Sequence, residues 1–487
     1  MPTVSYNLKY LILLVFALCF YSTEVYRPID GTSKTVWREA DGGAIARNFY
    51  QEGMNIFYPR IDWRGTGPGF VESELPLEPW LGAALYKTFG YQEWFLRLIS
   101  MITMLGCCGV FFLLAQSLLN DRTAFLASVI FVIHPFIFLM STAIQPEPFM
   151  LLGYLLAIYG FVRWIQTDQL SFYFLALLAT PFAILAKIPA AHVGILFALM
   201  SLNKFGIKAL FSFKLWAFAI FTLGIPILWY MHARSLWEIY GNSLGISNEA
   251  YENIKDYNLT DFIKVQIFGN LSIEFTKVWM FFGTLLAISG FYSFNKKKNG
   301  KIIIYWALAL IIFYIVCGRT TGAAWAAYYH IVSIPLACLV MAEGYYYLID
   351  RFISSREVRY LANALLFAVI CFEVALFFYT EFLKTHQYEE DYLSAKKFEK
   401  IIPKNDLIVV SGMSGYPAYY FFWIDRKGFV LQIYEQSLER LNQLKETGAK
   451  YFIVEKILIE TNPQFYNEVI AKYPIIEETK STLLFHL

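Results

Sequence analysis

The sequence predicts an α-helical polytopic membrane protein of about eleven spans with a small soluble α/β domain at its C-terminus. Three observations carry this prediction. Of 487 residues, 57% are hydrophobic and only 16% charged, with a mean hydropathy of +0.47, whereas soluble domains carry about a quarter charged residues. Apolar runs close to the length of a membrane span recur along most of the chain. From about residue 384 the pattern changes, and short strand-like runs alternate with amphipathic helical ones.

The composition excludes a disordered chain, a collagen-like fibre and a disulfide scaffold. A net charge of +2 is too balanced for a general nucleic-acid binder. Cys19, Cys107, Cys108, Cys317, Cys338 and Cys371 all lie in or beside apolar runs, so neither a disulfide framework nor a zinc site is expected. The first run, 10–21, follows a single Lys9, lacks a small-x-small cleavage site, and has Leu18 before Cys19 where a lipoprotein signal needs a small residue. It reads as an uncleaved span.

The eleven candidate spans are 8–26, 95–118, 123–144, 148–165, 170–186, 188–203, 214–233, 275–294, 302–318, 328–349 and 360–382. The runs 170–186 and 188–203 meet at Lys187-Ile188-Pro189 and read either as two short spans or as one broken helix. With the N-terminus inside, Arg122, Arg163, Lys204, Lys208, Lys214, Lys296, Lys297, Lys298, Lys301, Arg351, Arg356 and Arg359 fall in inside connections. The short outside connections hold little beyond Lys187 and Arg319. This asymmetry orients the chain with a cytoplasmic N-terminus and an extracytoplasmic C-terminus.

Three segments are too polar to span: 27–94, about 234–274, and 384–487, all on the outside. The expected domains are a transmembrane domain 1–383, including the outside loop 27–94 with interfacial helices, and a soluble domain 384–487. In the latter, strands are expected at 406–412 and 451–454, helices at 437–447 and 463–472, and an edge strand at 481–487. The Gly412-Met413-Ser414-Gly415 turn is a very weak nucleotide signal.

The outside segments hold the candidate chemistry. Asp41 stands where a helix can start, as its N-cap, with Ile45 and Phe49 on one face behind it. Glu72, Glu74 and Glu78 cluster around Pro76 and Pro79, which argue against a regular helix there. Taken singly, these carboxylates read as solvated loop residues. Behind them Trp80, Leu81, Ala84, Leu85 and Phe89 form an apolar stripe suited to a helix lying in the membrane interface. Glu147 lies between Pro146 and Pro148 at a span edge, an N-cap with Pro148 at the first helical position. A charge so near lipid needs a role or a partner. Later turns bring Arg319 and His330, and Lys187 can snorkel to the interface. Acids on early outside loops and bases on later ones describe a polar site at one membrane face, suited to a lipid-phosphate substrate.

Residues 37–165 resemble the GT-C glycosyltransferases, in the branch of the lipid A aminoarabinose transferase and the protein O-mannosyltransferases. The resemblance rests on Asp41 with Ile45-Ala46-Arg47-Asn48, Glu74-Leu75-Pro76-Leu77-Glu78-Pro79, Phe89-Gly90, Arg97-Leu98 and Gln145-Pro146-Glu147-Pro148. Tyr328-Tyr329-His330 to Pro335 is similar to a later motif of that branch. The resemblance implies a GT-C fold and transfer of a sugar, usually with inversion, from a polyprenyl-phosphate donor to a hydroxyl of a glycolipid, polysaccharide or protein. It implies Asp41 as catalytic base, with Glu39 also defensible, and Glu147 as a second acid orienting acceptor or base. Lys187, Arg319 and His330 would stabilise the leaving phosphate. Glu74 and Glu78 lie where relatives carry a Glu-Lys-Pro-Pro-type motif for the donor phosphate, and Leu77-Glu78 before Pro79 departs from it. No redox cofactor and no obligate metal is expected, although some distant relatives hold a divalent cation on acidic residues, a role that Asp41 with Glu147 could fill here.

The rival class is a transporter or flippase of lipid-linked sugars, which would place charges mid-span and show symmetry between halves. Here the acids sit at loop edges and no repeat is present. A polysaccharide polymerase or ligase would carry its large outside loop late in the chain. Sequons occur at Asn258-Leu259-Thr260 and Asn270-Leu271-Ser272, but the compact length and the branch resembled favour a bacterial inner membrane.

Overall fold

The computed structural model describes residues 3–33, 35–246, 258–297, 299–379, 388–412 and 417–487, with side chains from residue 8 onward except that of 324. Lys298, the expected domain boundary at 383/384 and the Met413-Ser414-Gly415 part of the weak glycine motif lie outside the described residues. The chain forms two compact units, each discontinuous in sequence. The first comprises Met1–Tyr26, Arg97–His232 and Gly245–Phe377; the second comprises Arg27–Leu96, Ala233–Leu244 and Phe378–Leu487. Residues 27–96 therefore group with the C-terminal residues rather than with the apolar helices.

The first unit is helical. Each expected span falls on an apolar helix or bent helix pair, yet a count of eleven is not shown. Among the described residues six helices are long and apolar enough to cross a membrane: Trp94–Leu118, Glu147–Thr167, Ile188–Phe211, Phe213–Tyr240, Trp325–Phe352 and Arg356–Phe378. Two bent pairs raise the number to eight. Leu8–Ser22, Leu170–Ala186 and Gly300–Val316 are shorter. Leu170–Ala186 has 17 residues, about 25 Å of helix, which falls short of a hydrocarbon core of about 30 Å. The protein is an integral membrane protein.

The bent pairs are Asp121–Ile133 with Pro135–Ser141, at 57°, and Leu259–Val278 with Met280–Phe294, at 94°. One side chain serves both breaks. The His134 Nδ1 accepts from the Phe136 N–H at 3.2 Å, so the ring proton is on Nε2, which donates to the Val278 carbonyl at 2.9 Å. A backbone freed by the break thus keeps a partner where water is absent. The helix Glu147–Thr167 packs closely on Leu170–Ala186 through glycine. A Cβ at Gly153 would stand 2.8 Å from the Ala183 nitrogen, and one at Gly160 2.8 Å from that of Ala176. Small residues at matching seven-residue intervals let the backbones approach.

The second unit joins the helices Val36–Glu52 and Leu77–Phe89 to a five-stranded sheet. Its strands are β1 Leu407–Ser411, β2 Gly428–Val430, β3 Ala449–Glu455, β4 Ile475–Glu478 and β5 Thr482–His486, in the order β2-β1-β3-β5-β4. β1 pairs in parallel with β2 and β3, and β5 is antiparallel to β3 and β4. The expected helices appear as Leu438–Glu446 and Pro463–Lys472. The closing run is not the edge expected of it. β5 lies between β3 and β4, with Thr482, Leu483, Leu484 and Phe485 all buried, and the exposed β4 takes the edge. Successive burial of neighbouring residues means that both faces are covered.

A buried ion cluster ties 27–96 to the C-terminal residues. Asp62 takes Arg47 and Lys427 together, and the Asn48 amide donates to it at 2.9 Å. Arg47 also bonds the Phe422 carbonyl at 3.2 Å and pairs with Asp425 at 3.0 Å. Burial pushes the Asp62 carboxyl up, but the adjacent Arg47 and Lys427 charges outweigh it and hold it below the usual carboxylate range. Its contribution to stability is therefore complete above about pH 4 and is lost only as pH falls through that lowered value. Asp62→Ala leaves the buried Arg47 with only Asp425 and the Phe422 carbonyl, strips the half-buried Lys427 of its carboxylate, and is expected to cost about 3 kcal/mol. Thermal unfolding of the detergent-solubilised protein at pH 7 checks it. Acidifying the wild type from pH 7 to 5 should leave this contribution intact.

Candidate functional site

The sequence-derived acids of the outside loop fall in the second unit. Asp41 is not an N-cap: the helix begins at Val36, and Asp41 is its sixth residue. Val36 and Ala40 are fully buried, so the core contacts of this helix start a full turn before the point marked by the carboxylate. Ile45 and Phe49 pack with Ile61, Val71 and Ala83, as their spacing implies. Asp41 is only 5% exposed, and its Oδ1 accepts the Trp63 indole N–H at 3.0 Å. Burial raises its pKa to about 7, with the Asp62 charge adding to the rise, while the Trp63 donor and the Arg38 charge oppose it. A carboxylate raised to this range can take a proton near neutral pH.

Arg38 also donates to Glu74 at 2.8 Å, so one guanidinium serves both the field at Asp41 and the loop acid. Glu39 is buried and lies 3.6 Å from Arg27. Glu78 is buried in the first turn of Leu77–Phe89. This helix overturns the expectation that Pro76 and Pro79 exclude regular structure. Pro76 precedes the helix, and Pro79 is its third residue, where no intrahelical N–H bond is required. Glu78, Gly82, Ala83 and Tyr86 form the buried face, and Trp80, Leu81, Ala84, Leu85 and Phe89 the half-buried to exposed one. An outward apolar face suits an interfacial helix.

The remaining candidates lie in the first unit. Glu147 is the first helical residue of Glu147–Thr167, with Pro146 in the cap position and Pro148 second, one place later than expected. It is wholly buried and pairs with Lys187, itself buried at the break before Ile188–His192. The other carboxylate oxygen of Glu147 has no hydrogen-bond partner among the described residues. The Lys187 ammonium lies 4.3 Å from the ring centre of Tyr328 and 4.4 Å from that of Tyr329, a cation–π clamp.

A hydrogen-bond chain holds the break that presents Lys187. The His192 Nδ1 faces the Pro189 carbonyl at 2.6 Å and must donate to it. Its Nε2 then accepts from the Tyr154 hydroxyl at 2.9 Å, whose oxygen accepts the Trp306 N–H at 2.7 Å. Among the described residues His330 makes no hydrogen bond to this pair. It bonds Glu274 at 2.7 Å and the Thr321 carbonyl at 3.0 Å, and it stacks on Tyr314. Arg319 lies two residues before Thr321, in the turn Gly318–Thr321, and is half-buried. Among the described residues no group of three His, Cys, Asp or Glu side chains is arranged to hold a metal ion.

Residues 73–230 match the family model described as dolichyl-phosphate-mannose-protein mannosyltransferase. ArnT from Cupriavidus metallidurans, in the apo state, superposes with a TM-score of 0.64 at 13% identity, covering 98% of this chain and 97% of that one. The chain has the fold of the GT-C glycosyltransferases. A second ArnT structure, bound to undecaprenyl phosphate, also gives 0.64, at 12% identity and with the same coverage. The archaeal oligosaccharyltransferase AglB from Archaeoglobus fulgidus, in complex with an inhibitory peptide and a dolichol-phosphate, gives 0.59 at 12% identity, covering 93% of this chain and 70% of that one. No curated protein sequence matches. The family model and these solved structures all describe proteins that transfer sugars.

Sequence reasoning did not reach Trp63, Arg38, Tyr154, His192 or Trp306. Nothing local marks them, because each acts through a partner brought up by folding. Two predictions follow from the geometry. Since the folded pKa of Asp41 is raised, its ionisation costs stability increasingly from about pH 4 to about pH 7. Asp41→Asn keeps an acceptor for Trp63 and should raise the melting temperature at pH 8 but not at pH 4. Lys187→Ala strands the buried Glu147 charge and should cost about 3–5 kcal/mol. Adding Glu147→Gln should recover part of that loss in the same melt.

Proposed function

We propose that this protein transfers a sugar from a polyprenyl-phosphate donor to an acceptor hydroxyl at the extracytoplasmic face of a bacterial inner membrane, with inversion at the anomeric carbon. The observation that carries the reading is Asp41, a buried carboxylate raised to about pH 7, in a chain of GT-C fold. The undecaprenyl phosphate on ArnT and the dolichol-phosphate on AglB support a lipid-phosphate donor. The acceptor is a glycolipid, a polysaccharide or a protein.

In this reading Asp41 takes the acceptor hydroxyl proton as that oxygen forms its bond to the anomeric carbon. The bond from that carbon to the phosphate oxygen breaks, and its electron pair leaves with the phosphate. A phosphate is already a good leaving group and needs fixed positive charge more than a proton. Lys187, Arg319 and His330 are assigned that role. Glu147 holds Lys187 and offers its second oxygen to the acceptor. Glu39, Glu74 and Glu78 are assigned to the substrate-facing surroundings, where Glu74 holds Arg38 beside the base. The unit containing Phe378–Leu487 is assigned an extracytoplasmic location.

The test is a transfer assay in nanodiscs with radiolabelled polyprenyl-phosphate sugars and crude membrane acceptors. Wild type should move label from one donor, and Asp41→Asn should lose about 10²–10⁴-fold. Because only the ionised carboxylate accepts a proton, the wild-type rate should rise with pH through about 7 and level off above it. Wild-type turnover by Asp41→Asn would overturn the assignment of the base.

A further inference from the structure

A polar cavity lies far from Glu147 within the helical unit. Tyr328 and Tyr329, which clamp Lys187, precede the helix Ile334–Phe352. Glu343, Tyr346, Asp350 and Arg351 sit in its later turns, and Ile334 and Arg351 are separated by about 25 Å of helix. There a cavity of about 540 Å³ opens between those turns, the first turn of Asp121–Ile133 with Arg122, and the end of Met280–Phe294 with Ser293 and Lys297. The catalytic reading uses none of these residues.

The chemistry of the lining favours an anion. Glu343 is buried and already answered: the Ser293 hydroxyl donates to it at 2.5 Å, and the Lys297 ammonium lies at 2.5 Å. Asp350 is shared by Arg122 and Arg359, each at 3.3 Å. Three cations, Arg122, Lys297 and Arg351, thus line the cavity with two carboxylates, Glu343 and Asp350, and Arg359 pairs with Asp350 as well. Arg122 lies flat over the Tyr346 ring, 3.8 Å from its centre. Stacking fixes the plane of its guanidinium, and its one described hydrogen bond, to Asp350, leaves the rest of the fork for a ligand. Arg351 also lines the cavity and makes no hydrogen bond to any described residue. A surplus of positive charge, one planar oriented donor and one uncommitted arginine together match a phosphate group.

We propose that this cavity binds a phosphate-bearing anion, supplied by the head group of an anionic phospholipid in the adjoining leaflet. Basic pockets between membrane helices hold such head groups, at about 1 kcal/mol for each Lys or Arg. The bound head group would tie together the three connections that meet here.

Native mass spectrometry of the full-length protein in detergent, titrated with phosphatidylglycerol or phosphatidylcholine, tests it. Wild type should retain phosphatidylglycerol in preference to phosphatidylcholine. Arg351→Gln should weaken that preference about fivefold, and Arg122→Ala with Arg351→Gln about twenty-five-fold, as the cost per cation requires. Arg351→Gln breaks no described hydrogen bond, so it should keep the wild-type melting temperature in phosphatidylcholine. Equal retention of the two lipids, or a preference unchanged in both variants, would overturn the proposal. Inorganic phosphate at millimolar concentration is the second arm. If it raises the wild-type melting temperature but not that of the double variant, while phosphatidylglycerol shows no preference, the phosphate site stands and its source is soluble rather than lipid.

Discussion

A buried carboxylate stays charged only if something nearby answers it, and this constraint organises the molecule. Glu147 is wholly enclosed at the start of a span, and Lys187 answers it from the break between two apolar helices. Neither partner tolerates the loss of the other, because an unpaired ion in such surroundings is far more costly than the pair is stabilising. The rest of the helical unit serves that pair. Glycine at 153 and 160 draws the helices at the two sides of the pair together. His192, Tyr154 and Trp306 hold the break in the one conformation that presents the lysine. Tyr328 and Tyr329 close over the ammonium.

The second unit treats its buried carboxylates in two opposite ways. Asp62 receives two cations and an amide, and is held ionised. Asp41 receives one indole N–H and a share of one arginine, too little to offset its burial, so its titration is moved to neutral pH. Opposite surroundings thus drive the pKa values of the two carboxylates apart. Asp62 joins residues 27–96 to the C-terminal residues, while Asp41 titrates near neutral pH.

Several features were legible in the residues because they depend on local composition. The apolar runs, the polar loops, the strands expected at 406–412 and 451–454, observed as Leu407–Ser411 and Ala449–Glu455, and the helix at 463–472 all follow from hydropathy and period. The start of the Asp41 helix was misplaced by a turn because Val36 and Ala40 are buried by distant contacts that no local rule encodes. Pro79 was read as a breaker although the first turn of a helix does not need its N–H. The last strand was given the edge because its neighbour β4, with two glutamates, carries too little apolar signal to be seen.

By itself the sequence determined the solvent, the class of fold and the identity of the candidate acids and bases, because each depends on which side chains are present and in what order. Tertiary structure alone decided how those groups behave. It placed Lys187 on Glu147 across forty residues, Arg38 between Asp41 and Glu74, and Lys427 on Asp62 across most of the chain. Whether a carboxylate is a strut or a base depends on its distance to the nearest cation and on the water it has lost. Both are properties of the packed state, and neither is written in the spacing of residues along the chain.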